Sequence, residues 1–437
     1  MDQPEASPSR IEHDLLGQVT LSASTLYGIH TARASENFRM DGEGLRQFPA
    51  LLSALARIKS AAAWTNVKLG VLPPDLGDAI MAAAQDVCSG RLHEHFPLDV
   101  VQGGGGTSTN MNMNEVLANH AGALLSRAGG GPVRVDPHDH VNRSQSTNDV
   151  MPTAVNVAVM TTAPAAVRSL RRVADSLSRK ARQYEQLERL GRTCLQDAVP
   201  VPAPLVHDGQ ATSVLAAARA LEEACDALRA VPLGATAIGT GLGAPPGYRE
   251  AVIQRLSEET GLDLRPAVNL SEGIASLESL AWVADAMARA GRAMARVAAD
   301  LRLLASGPVG GFGEVRLPPV QAGSSIMPGK VNPVIPELVM QVSFQLQGGA
   351  HIVHLASAAA ELEVTSMGPV VTAELLRGLH RLHRVADLFA ARCVDGLTWN
   401  EQAVRANLRG SLQQAVESAV EHGHAHAIRT LSPEGRK

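Results

Sequence analysis

Val167, Leu170, Val173, Leu177, Ala181, Tyr184 and Leu187 fall three or four residues apart across more than twenty positions, the period that gathers apolar side chains on one face of an α-helix. A helix that long with a single apolar stripe needs other long helices to cover it. Ile274, Leu277, Ala281, Ala284, Met287, Met294 and Leu301 trace a second one from about Ser271 to Leu304, where Ala290 and Gly291 permit close approach of a neighbour. Further helices fit Ile335 to Glu361 and Val371 to Ala391. At 1.5 Å per residue the longest reach ~40 Å, which predicts a mainly α fold on an elongated central helical bundle. Aromatic residues make up only 3% of the chain and strand-like alternation is scarce, which agrees with helices. The apolar content exceeds what one slender bundle covers, so association of several chains is expected.

Around that bundle the chain divides into four parts. Residues 1–10 are polar and rich in Pro and Ser, which predicts a disordered tail with ordered structure from Ile11. Residues 11–148 read as an N-terminal domain mixing helical patches (Leu51 to Lys68, Asn114 to Arg127) with glycine-rich turns at Gly103 to Gly106 and Gly129 to Gly131. Residues 149–397 hold the bundle, and 398–437 form a reduced C-terminal segment. His422, His424 and His426 lie there on alternate residues, which point to different helix faces and suit a solvated tail better than a metal site. The formal charge of −4 suggests no nucleic-acid partner, and no run of about twenty uninterrupted apolar residues suggests a membrane span. Met1 to Pro8 lack the features of a secretory signal, and Cys88, Cys194, Cys225 and Cys393 are unclustered. A cytoplasmic protein without disulfides, structural zinc or cofactor is the expectation.

Four stretches look unlike scaffold. Gly323-Ser324-Ser325-Ile326-Met327-Pro328-Gly329-Lys330-Val331-Asn332-Pro333 places paired hydroxyls, a cation and an amide on one glycine-bounded loop, and such a loop can fold over a carboxylate. Gln102 to Glu115 (QGGGGTSTNMNMNE) frees the backbone and supplies Thr107, Ser108, Thr109 and Asn110. His140 to Asp149 (HVNRSQSTND) puts Ser146, Thr147 and Asn148 at a helix start, where free N–H groups welcome an anion. Gly191 to Asp197 (GRTCLQD) follows the first long helix. Together they offer neutral donors and one lysine, an inventory for binding a small dicarboxylate and stabilising the anion formed by removing a proton beside a carboxylate. No HExxH, paired CxxC or Walker loop is present, so metal and nucleotide chemistry lack support.

These stretches, with ATAIGTGLGAPPGY, resemble the aspartase/fumarase superfamily in order and separation from about Ile11 to Asn400. VNPVIPE, IEHDLLG and YGIHTARASENF are similar to aspartate ammonia-lyases rather than fumarases. The resemblance implies a homotetramer sharing the central bundle, active sites built from three subunits, and elimination across a succinyl Cα–Cβ bond to give fumarate. Carried over by position, Ser324 is the base. Thr107, Ser146, Thr147 and Ser325 hold the aci-carboxylate, Lys330, Asn332 and Thr193 anchor the other carboxylate, and Asn148 stands near the leaving group. Glu337 matches a glutamate that pairs with a histidine in the family. A fumarate hydratase, or a non-catalytic structural relative, is the alternative.

That histidine is replaced. Where the family has Thr-His this chain has Thr193-Cys194, and the segment Val199 to Gln210 reads as a longer loop. A thiol cannot titrate or donate as an imidazole does, which predicts poor deamination of aspartate. Three explanations remain open: a dispensable histidine, a pocket retuned for another nitrogen leaving group, or compensation by His207 from the longer loop, where a lone histidine is expected in solvent.

Overall fold

The computed structural model describes residues 8–129 and 131–430. Residues 1–7 of the expected tail lie outside them. The fold is 63% helical. In chain order come β1 (Ser9–Asp14), β2 (Gly17–Ser22), α1 (Ile29–Asn37), α2 (Pro49–Lys68), α3 (Pro74–Cys88) and α4 (Thr107–Gly129). Then follow α5 (Thr147–Gln183), β3 (Glu188–Thr193), β4 (Gln196–Pro202), α6 (Ala203–Asp226), β5 (Ala230–Val231), α7 (Tyr248–Thr260) and β6 (Arg265–Pro266). The last part runs α8 (Leu270–Ala275), α9 (Glu278–Leu304), β7 (Val315–Arg316), α10 (Val334–Ala358), α11 (Gly368–Phe389), β8 (Thr398–Trp399), α12 (Glu401–Leu408), α13 (Gln413–His422) and α14 (His424–Thr430). Among the described residues the strands form four two-stranded sheets.

Three boundaries differ from expectation. Order begins at β1, before Ile11, because Arg10 pairs with Glu12 at 2.8 Å and donates to the carbonyls of Ser22, Thr25 and Tyr27. The first long helix starts at Thr147, well ahead of Val167; Pro152 and Pro164 lie inside it, so its sequence signal is clean only beyond them. The second is two helices, since Ser276 is extended (ψ 140°) and its hydroxyl accepts the Glu278 N–H that opens α9. The apolar part of α5 is long enough to cross a membrane by composition, yet 72% of that window is buried inside the protein.

Contacts divide the chain into two units. One holds residues through Pro164, Leu221–Met287 and Gln347–His380. Its core is Leu51, Leu55 and Ile58 of α2, Ile80 and Val87 of α3, Met113 and Leu117 of α4, and Val252 and Leu256 of α7, all buried. The other holds Ala165–Ala220, Ala288–Leu346 and the chain from Arg381. There the stripe Val167, Leu170, Val173, Leu177 and Ala181 is buried as its period requires. Ser169 bonds His383 at 2.8 Å, which ties α5 to α11. A Cβ on Gly291 would stand 3.3 Å from the Ser343 Cα, the close α9–α10 approach that its small side chain predicts.

Candidate active site

In the second unit the glycine-bounded loop closes on itself. Gly323 N–H donates to the Lys330 carbonyl at 3.0 Å, and the Asn332 Nδ2 donates to the Gly323 carbonyl at 2.8 Å. A Cβ on Gly323 would lie 2.5 Å from the Lys330 oxygen, and Gly329 has φ +86°, so the closure needs glycine at both places. Inside the turn, Ser324 Oγ accepts the N–H groups of Ile326 (3.3 Å) and Met327 (3.0 Å). Two amide dipoles aimed at one hydroxyl oxygen favour negative charge on it. Ser324 is half-buried and Ser325 exposed. Lys330, Asn332 and Glu337 line one cleft of about 960 Å³ with Arg302. Glu337, expected to face a histidine in the family pattern, instead has the Arg302 Nη2 at 3.9 Å.

The first unit gathers the hydroxyl group of residues. Ser146 caps α5: its Oγ accepts the Asn148 N–H at 3.3 Å, while Asp149 Oδ1 accepts the Ser146 N–H at 2.9 Å, a reciprocal capping pair. Asn110 Nδ2 donates to the Thr147 Oγ1 at 3.1 Å, and Asn148 Nδ2 to the Ala237 carbonyl at 2.7 Å. Thr107 Oγ1 bonds the Gly104 carbonyl at 2.8 Å at the head of α4. Part of the polar wealth of these stretches is therefore structural. Glu115 is an example, since its carboxylate accepts the N–H groups of Gly28, His30 and Thr31 and so caps α1.

Sequence reasoning missed the charges beneath these hydroxyls. Lys59, fully buried on α2, donates to Asn142 Oδ1 (2.9 Å) and Gln145 Oε1 (3.0 Å). Asn142 Oδ1 also accepts from Asn110 and Asn114. Asp149 Oδ2 accepts the N–H groups of Gly234 and Thr236, which folds the ATAIGTG stretch back on α5. Burial pushes Lys59 down to about 7, against a smaller upward pull from Asp149. Burial pushes Asp149 up to about 6, opposed by its backbone N–H donors and by Lys59. A lysine amid the apolar residues of LSALARIKSAAAW was the available signal.

Thr193 and Cys194 lie at the tip of the β3–β4 hairpin, with Thr193 paired to Gln196. Cys194 (φ 52°) and Leu195 (φ 61°) are both left-handed, the pattern of a type I′ turn. The expected longer loop after Cys194 is no loop: Val199–Pro202 belong to β4 and Ala203–Gln210 open α6. Nor is His207 in solvent. It is fully buried, accepts the Trp399 Nε1–H at 3.1 Å and meets Gln210 Oε1 at 3.3 Å. Both ring nitrogens are thus engaged, and compensation by His207 is set aside. The expectation erred because an α-helix and Trp399 cover the ring.

A family profile described as "Lyase" matches residues 17–348. Aspartate ammonia-lyase of Helicobacter pylori is 40% identical over 90% of this chain and 84% of its own length. The Escherichia coli enzyme of the same name is 38% identical over 92% and 84%. Among solved structures, fumarate lyase:delta crystallin from Brucella melitensis superposes with a TM-score of 0.89 at 39% identity, covering 97% of this chain and 96% of that one. Class II fumarase from Schistosoma mansoni does so at 0.93 and 31%, covering 97% and 91%. The chain belongs to the aspartase/fumarase family of lyases. It is an enzyme of that type, on the carbon–nitrogen lyase side, rather than a non-catalytic relative.

Proposed function

We propose that the chain eliminates ammonia or a related nitrogen leaving group from aspartate, or from an aspartate or succinate derivative, to give fumarate. The observation that carries this reading is the Ser324 Oγ held under two backbone N–H groups. Those dipoles stabilise an alkoxide, which takes the Cβ proton and leaves the electron pair on the adjacent carboxylate as an aci-carboxylate. Ser146, Thr147 and Ser325 hold that dianion, joined by Thr107 once its one hydroxyl proton turns from the Gly104 carbonyl. The electrons then return to form the Cα=Cβ bond while the Cα–N bond breaks, and the protonated nitrogen departs as ammonia beside Asn148. Lys330, Asn332 and Thr193 anchor the far carboxylate. These residues are distributed over both units of the chain, and we assign the working form to a homotetramer whose sites draw on three subunits. The free thiols of Cys88, Cys194, Cys225 and Cys393 suit a reducing cytoplasm.

Replacing Ser324 tests the base. Ser324→Ala should lower fumarate release by at least about 10²-fold with unchanged thermal melting; undiminished turnover would remove the assignment. The leaving group is found by incubating the enzyme with fumarate and a panel of nitrogen nucleophiles, then weighing the adducts. Malate as the sole product from fumarate would favour the hydratase reading instead.

A further inference from the structure

The Glu314 carboxylate is 0% exposed, and the Arg192 side chain paired with it is 10% exposed. The guanidinium grips it with both arms: Nη2 to Oε1 at 2.7 Å and Nη1 to Oε2 at 3.1 Å. Asn407 Nδ2 on α12 adds a third donor to Oε1 at 2.7 Å. Glu314 is itself fixed at both backbone ends, with its N–H on the Leu304 carbonyl and its carbonyl accepting from Asn400 N–H. The Phe312 ring lies 4.3 Å from the guanidinium carbon. A buried ion pair is a poor way to gain stability, because an apolar pair of similar volume often serves as well. Its planar, bidentate geometry gives orientation.

What it orients is the hairpin tip. Arg192 directly precedes Thr193, and beyond it Thr193, Cys194 and Leu195 are exposed. Among the described residues no side-chain hydrogen bond holds Thr193 or Cys194. The other strand is held from the same side, since Leu412 N–H donates to the Ala198 carbonyl at 3.0 Å. We propose that Glu314 is a positioning residue: through Arg192 it fixes where Thr193 and Cys194 stand, and the C-terminal segment serves as the clamp that keeps it there. This rests on the assignment of Thr193 to substrate carboxylate binding.

The test uses three variants of the full-length enzyme. Arg192→Lys keeps the charge without the fork, Asn407→Ala removes the clamp contact, and Arg192→Met with Glu314→Leu removes both charges so that neither is stranded. Amide hydrogen exchange over residues 191–197 reads the tip without any substrate, and steady-state kinetics separate KM from kcat. The expected result is faster exchange confined to the hairpin, KM for the succinyl substrate raised about tenfold, and kcat and melting little changed. A merely structural role would lower the active fraction and leave KM alone, and that outcome overturns the proposal, as does unaltered exchange in all three. Wild-type enzyme that turns over no succinyl amine defeats the functional reading instead, while the exchange arm still decides whether Glu314 holds the tip.

Discussion

At the scale of single residues, Lys59 and Asp149 set a dependence on pH. Burial lowers the folded value of Lys59 from 10.5 to about 7, so across that window the unfolded chain carries the extra proton and stability rises as pH rises. Denaturation of wild type and Lys59→Met across the window should diverge by up to about 1.4 kcal/mol per pH unit, the wild type gaining. Asp149 has the opposite sense. Its folded value is raised from 3.8 to about 6, so the native state holds the extra proton between them and stability falls as pH climbs. Asp149→Asn should flatten that limb. Cys194 makes a different claim: Cys194→His should raise turnover of aspartate relative to wild type in a fumarate assay, and no gain would show that the thiol is not what limits deamination.

Among elements, the helices were the legible part and the hairpin was not. The stripe from Val167 to Ala181 buries as its spacing requires, because a long period leaves little room for another reading. The β3–β4 turn was hidden, since Cys194-Leu195 carries none of the Asn-Gly signal such turns favour. The charged layer under the hydroxyls was hidden by distance, because Asn142 and Gln145 lie 83 and 86 positions from Lys59. Motif order marked the candidate site residues, yet did not reveal that Ser146 caps α5 or that Asn332 spends its amide on Gly323. The turn also yields a prediction. Leu195 is 62% exposed and left-handed, so Leu195→Gly loses little burial, relieves about 1 kcal/mol of backbone strain and should raise the melting temperature.

For the molecule as a whole, α10 presents exposed residues at Leu338, Gln341, Gln345, Gly348, Ile352 and Leu355, three or four apart, with Phe344 beside them at 62% exposure. A stripe of that length is what a neighbouring copy would cover. Phe344→Glu with Leu355→Glu should therefore shift the assembly to smaller species by light scattering and abolish activity while helical content by circular dichroism persists; an intact, active assembly would rule this face out as the subunit contact. The hairpin tip carries one last consequence. Residue 194 sits exposed on a left-handed turn and, among the described residues, its side chain makes no hydrogen bond, so a replacement that tolerates that backbone costs the fold little. On the proposed reading of this tip as part of the substrate site, one substitution there changes which amine is met while the fold stays as it is.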